Sequence, residues 1–213
     1  MTRIAEFAAE LTTIDVDGDA IALWRVADLE RYVDRKALLG GDDPPEPPYW
    51  AHLWTGALIL AAAVPEHAGR VVELGCGLGL PGLVAARRGA RVTFVDRLAA
   101  PLAFVRASAA ANRIASTALC VADFAGGALR GPFDLVLAAE VLYDRATLGT
   151  LPRTLRRCLR PGGRALLTDA RRTDTASFYA GLDASGLPWG ATEHAVREEG
   201  LPLTIRLVEV WRP

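Results

Sequence analysis

The chain has 213 residues, 51% of them hydrophobic and 23% charged, and a formal net charge of -1. That length suits one domain with a short N-terminal extension, and the apolar content excludes a disordered chain. Lys36 is the only lysine, so Arg dominates the 24 basic residues; with both signs interleaved near neutrality, there is no broad positive field of the kind that holds nucleic-acid backbones.

In chain order, residues 12 to 26 predict a β-hairpin around Asp17-Gly18. A helix is expected over 28 to 39. GGDDPPEPPYW follows, with four prolines from Pro44 to Pro48, and can be neither helix nor central strand. We therefore expect an N-terminal hairpin, helix and connector over residues 1–48, a lid or substrate-side wall, followed by a main domain over 49–213. In that domain helices are expected at 50–64, 80–88, 99–112, 145–159 and 173–185. Strands are expected at 70–74, 91–95, 118–122, 133–138, 164–168, 191–197 and 203–211, with a turn at Pro161-Gly162-Gly163. Continuous apolar strands such as DLVLAAE, separated by helices, indicate a parallel sheet covered on both faces. The last two strands are joined by only EEGLP and must be antiparallel neighbours. The fold expected is α/β: a Rossmann-like, doubly wound, mostly parallel seven-stranded sheet with a C-terminal antiparallel pair and a small N-terminal β-hairpin/helix extension.

Cys76, Cys120 and Cys158 are far apart and odd in number, with neither a disulfide framework nor metal-ligand spacing, so no metal site is expected. That usage suits a reducing, cytoplasmic compartment. Met1 to Glu10 lacks a signal-peptide pattern, and the longest apolar stretch, around Gly56 to Val64, is too short to span a bilayer.

VVELGCGLGLPG, residues 71 to 82, is a strand running into Gly75, Gly77 and Gly79, with Pro81 placed for a first helical turn. Glycine lets a backbone turn sharply and approach a ligand, and the helix start offers free N–H groups. Gly77, Gly79 and Gly82 also spell G-x-G-x-x-G, which keeps a nicotinamide-dependent oxidoreductase open as an alternative. Glu73, at the end of the strand, suits a ligand's ammonium group better than a pyrophosphate. Asp96 ends the next strand, where a carboxylate can accept ribose hydroxyls. Asp123, in ADF, closes the third, where the adenine amino group of S-adenosylmethionine would lie.

With these residues in place, the chain from Trp50 onward resembles the class I, seven-strand S-adenosylmethionine-dependent methyltransferases. PPYWAHLWTGALILA before the glycines, and AEVLYD at 139 to 144, narrow the likeness to the METTL20/METTL21-like group of protein lysine methyltransferases. The resemblance implies S-adenosylmethionine as cofactor, with S-adenosylhomocysteine as product, and a protein substrate rather than nucleic acid or membrane. It implies that Glu73, Gly75, Gly77, Gly79, Asp96, Asp123 and Trp54 hold the cofactor, and that Glu140 and Tyr143 face the acceptor amine. Glu140 stands where the group more often has Asp.

The blander readings remain beside these. Trp54, at helical spacing from Trp50 and Leu58, reads by pattern as a core residue. Glu140 and Tyr143 would then cap and pack a loop, His52 would be structural, and Cys76 would be present for its small size. Arg171 and Arg172 follow a strand end where members of the group have substrate-side loops, or are solvated. EPPY at 46 to 49 matches part of a motif of amino-methylating nucleic-acid enzymes but lacks the apolar strand before it. Small-molecule N- or O-methylation, and a non-catalytic cofactor-binding module, also remain open.

Overall fold

The computed structural model describes residues 2–32, 47–115, 117–127, 129–198 and 200–213. A short strand β1 (Thr2–Ile4) precedes the hairpin of β2 (Phe7–Val16) and β3 (Asp19–Val26), making a three-stranded antiparallel sheet. Val16 pairs with Asp19, so Asp17 and Gly18 form the turn. Both have positive φ (50° and 91°), the conformation whose twist suits a two-residue hairpin. β1 carries no sequence signal, because only Ala5 and Glu6 separate it from β2.

The expected helix over 28 to 39 is described only at its start, as a 3₁₀ turn over Leu29–Tyr32; the rest of it and most of the proline-rich connector lie outside the described residues. From Tyr49 the chain enters a second 3₁₀ turn (Tyr49–Ala51) and then helix α1 (Thr55–Ala62). This helix is shorter than the expected 50–64. Trp50 leaves the helical path and packs with Phe7 and Phe104, at ring-centroid distances of 5.1 and 5.3 Å.

The main sheet consists of β4 (Arg70–Leu74), β5 (Arg91–Asp96), β6 (Thr117–Val121), β7 (Phe133–Ala139), β8 (Leu159–Asp169), β9 (Trp189–Glu198) and β10 (Leu201–Trp211). Its order is β6-β5-β4-β7-β8-β10-β9. Only β10 runs against the others, pairing antiparallel with both β8 and β9. The helices between strands are α2 (Leu80–Arg87), α3 (Ala99–Ala111), α4 (Arg145–Cys158) and α5 (Ala176–Ala184). The central strands are apolar on both faces because helices cover both, and the sheet separates two hydrophobic clusters, one around Phe94 and Phe104 and one around Val136 and Phe178.

Two expected elements differ. Pro161-Gly162-Gly163 is not a free turn but a kink inside β8, where pairing with β7 shifts between Phe133 and Leu135. Gly162, at φ 73°, donates its N–H to the Arg212 carbonyl. Helix α5 starts at Ala176 rather than 173, because residues 170–175 wrap around Asp169, whose carboxylate accepts bonds from Arg171 N–H, Thr175 Oγ1 and Tyr179 OH.

The N-terminal sheet is bound into the same core. The free edge of β3 is covered by side chains of α3 and its C-cap: Trp24 N–H donates to Ser108 Oγ, and Asn112 exchanges two bonds with the Ala22 backbone. That pairing satisfies an edge that would otherwise be open to association. Arg88 ties the sheet's turn to α2 through Asp19 at 2.8 Å. The turn from β1 to β2, Ala5 to Phe7, reaches the rim of the cleft described next.

Candidate active site

The strand order reverses between β4 and β7, and an open parallel sheet has a crevice at the carboxyl ends of the strands flanking such a point. Here that crevice is a cleft of about 1680 Å³, larger than the ~300–1,000 Å³ of ordinary small-molecule pockets. The structure brings all nine residues singled out from the sequence to this one cleft: Trp54, Glu73, Gly75, Gly77, Gly79, Asp96, Asp123, Glu140 and Tyr143.

On one side the backbone shapes the site. Gly75, Gly77 and Gly79 all take left-handed φ values, 58°, 50° and 74°. A side chain at Gly79 would also meet Val105 at 2.7 Å, so the loop can follow this path only with glycine. Asp96 caps the loop from the neighbouring strand, its two oxygens accepting from Gly77 N–H (3.1 Å) and Leu98 N–H (3.1 Å). Burial raises its pKa from the ordinary value, against the pull of those two N–H groups.

Glu73 is buried under the loop, 1% exposed, and its Oε2 accepts the Gly82 N–H at 2.9 Å. Burial pushes this carboxyl up to about 8, with the nearby Asp96 charge adding to the rise and the Gly82 bond opposing it. At neutral pH it is largely protonated, so it meets the cleft as a hydrogen-bonding acid. Cys76, also buried, has its thiol pushed well above the usual range and is no nucleophile. Asp123 uses Oδ1 to cap the 3₁₀ turn Phe124–Gly126 through Ala125 N–H at 2.8 Å. Phe124 and Leu98, the latter 45% exposed, border the cleft beside these acids and offer apolar faces to a planar ring.

On the other side, side chains dominate. β7 ends at Ala139, and Glu140 follows with φ 50°, an uncommon conformation for a residue with a side chain. Its N–H bonds to the carbonyl and hydroxyl of Thr168, and its Oε1 accepts Gly56 N–H at the start of α1, at 2.9 Å. A side chain at position 56 would collide with that carboxylate, so Gly56 is required. Val141 and Leu142 turn into the core, Tyr143 stands 52% exposed, and Asp144 caps α4 through Ala146 and Thr147 N–H. The capping role in this segment thus belongs to Asp144, leaving Glu140 and Tyr143 on the cleft.

Trp54 precedes α1 rather than lying in it. Its Nε1 donates to the Tyr49 carbonyl and His52 packs edge-on at 4.5 Å. Arg172 lies over the indole, its guanidinium carbon 4.7 Å from the ring centroid, and pairs with Glu140 and with Glu198. Sequence reading noted Arg172 only as a residue of a substrate-side loop or a solvated one, and missed Glu198 altogether. No spacing signals Glu198, because it arrives from the far edge strand.

Among the described residues no group of His, Cys, Asp and Glu is arranged to hold a metal, and no helix is long and apolar enough to cross a membrane.

The body strands run in the order 3-2-1-4-5-7-6 with the seventh reversed, which departs from the all-parallel 3-2-1-4-5-6 order of dinucleotide folds and disfavours the oxidoreductase alternative. The family profile described as Methyltransferase domain matches residues 71–163. The chain is 38% identical over 117 residues to the mouse protein N-lysine methyltransferase METTL21A, covering 49% of this chain and 53% of the relative. It is 30% identical over 173 residues to the zebrafish (Danio rerio) electron transfer flavoprotein beta subunit lysine methyltransferase, covering 78% and 66%. It is also 30% identical over 126 residues to the ubiquinone biosynthesis O-methyltransferase of Pseudomonas aeruginosa, covering 57% and 54%. In fold it is similar to a Thermus thermophilus 16S rRNA N2 G1207 methyltransferase solved with AdoMet and guanosine, with TM-score 0.65 and 14% identity over 96% of this chain and 51% of that one.

The matched profile, these relatives and the strand order support a class I S-adenosylmethionine-dependent methyltransferase domain, with S-adenosylmethionine as its cofactor. It spans about half the length of the mouse and Pseudomonas relatives. The residues present fit that cofactor: a carboxylate ending β5, apolar faces beside it, a glycine loop open to close approach, and room for a nucleoside and an amino acid together.

Proposed function

We propose that the protein transfers a methyl group from S-adenosylmethionine to the side-chain amine of a protein lysine. The observation that carries this reading is the acidic and aromatic wall of Glu140, Tyr143 and Trp54 on the cleft, in a chain similar to two lysine methyltransferases. In this reading Gly75, Gly77, Gly79 and Glu73 hold the methionine end, Asp96 the ribose, Asp123 the adenine, and Trp54 packs against the cofactor.

The bound cofactor supplies a sulfonium methyl: the amine lone pair forms the N–C bond, the C–S pair returns to sulfur as S-adenosylhomocysteine, and the methylated ammonium releases a proton. The protein's own residues align and shield. Glu140 and Tyr143 draw the acceptor cation in and orient its nitrogen, since a lysine amine, with an ordinary pKa of about 10.4, must lose its proton before it reacts. The walls of the cleft exclude water and fix the in-line approach, which supplies most of the rate. In this reading residues 49–213 are the methyltransferase domain, and the N-terminal sheet, whose residues Ala5 to Phe7 border the cleft, contributes to a substrate-side wall.

Calorimetry with S-adenosylhomocysteine gives saturable, one-site binding if this reading holds, and no heat of binding overturns it. Incubation of the protein with methyl-labelled cofactor and a cell extract then labels lysines of proteins. The Pseudomonas relative keeps small-molecule O-methylation as the second reading, and label found only in small molecules decides for it.

A further inference from the structure

Three charged side chains from separate parts of the fold meet around Glu140 and Trp54, the two residues of this group that line the cleft. Arg172, in the loop after β8, points its Nε at Glu140 Oε2 (2.9 Å) and its Nη2 at Glu198 Oε2 (2.7 Å), with the Trp54 indole beneath it. The Arg172 side chain is only partly covered, 36% exposed, whereas the Glu140 side chain is 6% exposed. Two carboxylates and an aromatic face around one cation are the surroundings an alkylammonium needs on leaving water.

The carboxylates do not depend on Arg172 for their positions. Glu140 Oε1 is held by Gly56 N–H and Glu198 Oε1 by Thr55 Oγ1, both in the first turn of α1. Arg172 uses only the opposite oxygens, so the cage stays built when the arginine leaves. The loop also stays in place, because Asp169 grips Arg171 N–H before Arg172 and Thr175 Oγ1 after it. Only a side chain has to swing. With the arginine gone the cage holds two negative charges, which an entering cation neutralises.

We infer that Arg172 occupies the acceptor's own cation site and sets its selectivity, so that a substrate ammonium enters between Glu140, Glu198 and Trp54 only by displacing it. This rests on the reading of Glu140 as the acceptor side of the cleft. Arg172 therefore acts as an internal competitor: it raises the threshold for a lone amine, and a protein substrate overcomes it with contacts made elsewhere.

The test uses the full chain saturated with S-adenosylhomocysteine and n-butylammonium as the probe, titrated by calorimetry or ligand-observed NMR. Arg172→Met keeps a long apolar stem over Trp54 and removes the charge; Arg172→Ala serves as a second variant without the stem. Both are expected to bind n-butylammonium at least about tenfold more tightly than the wild type, equivalent to about 1.4 kcal/mol, and adding Glu198→Gln is expected to remove the gain. Equal or weaker binding by both variants, with S-adenosylhomocysteine affinity intact, overturns the inference and makes Arg172 a positioning residue for Glu140. A gain that survives Glu198→Gln also overturns it, by placing the probe elsewhere. Loss of S-adenosylhomocysteine binding in the wild type is a different result, which overturns the proposed function instead.

Discussion

The glycine-loop side of the cleft and the Glu140 side are built by different means. Between Glu73 and Leu98 the chain folds on itself within two strands and one helix, and its bonds are mostly carboxylate to backbone N–H. Around Glu140, four segments meet from residues 54–56, 140, 168–172 and 198, and what joins them is mainly side-chain charge. A wall of backbone in left-handed turns has one shape and tolerates few substitutions. Side chains that pair across segments can exchange partners while the backbone stands still, which suits a face that admits different acceptors.

The largest expected effect separates the two sides functionally. Glu140→Gln should lower methyl transfer on the order of 10²–10⁴-fold and Tyr143→Phe less, while S-adenosylhomocysteine affinity stays within about threefold. Radiolabel transfer read beside calorimetry checks this. A parallel fall in both measurements breaks the division.

A smaller effect concerns the buried acid under the loop. Glu73 has a folded-state pKa near 8 against an ordinary 4.5, so the folded chain holds this proton more tightly than the unfolded chain does. Its favourable contribution is complete below about pH 4.5 and is lost as pH rises through 8. Linkage gives about 1.4 kcal/mol per pH unit well inside that window, or roughly 3 kcal/mol between about pH 5.5 and pH 8. Glu73→Gln keeps an acceptor for Gly82 and removes the proton, so its thermal melts should lose that slope. Equal slopes in both proteins would show that another group titrates.

Smallest is a packing change on the same side. Gly82→Ala would place a methyl 2.4 Å from both Glu73 Oε2 and the buried Phe94 ring, an overpacking expected to cost about 2 kcal/mol. Denaturant unfolding should show a lower midpoint at unchanged slope. No loss of stability would mean that α2 can move away from β5, and that the loop is less fixed than its geometry indicates.

Much of this was legible before any coordinates. The alternation of strand and helix, the Asp17-Gly18 turn, Pro81 at a helix start and the short antiparallel return all depend on local chemistry, and each is found. The differences have local causes as well. Helix α1 loses its first turn because Trp50 is drawn into the Phe7 and Phe104 cluster, and the Pro161-Gly162-Gly163 turn becomes a kink because β8 must keep pairing on both sides. Glu140 was legible as a motif residue. Its arginine partner was legible only as a residue of a loop.

By itself, the sequence determined the sheet class, the left-handed glycine loop and the acids that end β4 and β5, because φ preferences, strand periodicity and a residue's place at a strand end act within a few positions of one another. The tertiary structure alone decided that Glu198 stands beside Glu140. β9 runs parallel to β7 only because reversed β10 lies between it and β8, and this carries Glu198 to the same end of the sheet as Arg172 and Trp54. That meeting depends on strand pairings that span dozens of residues, whose cost and reward are settled by burial across the whole sheet rather than by any neighbouring residue.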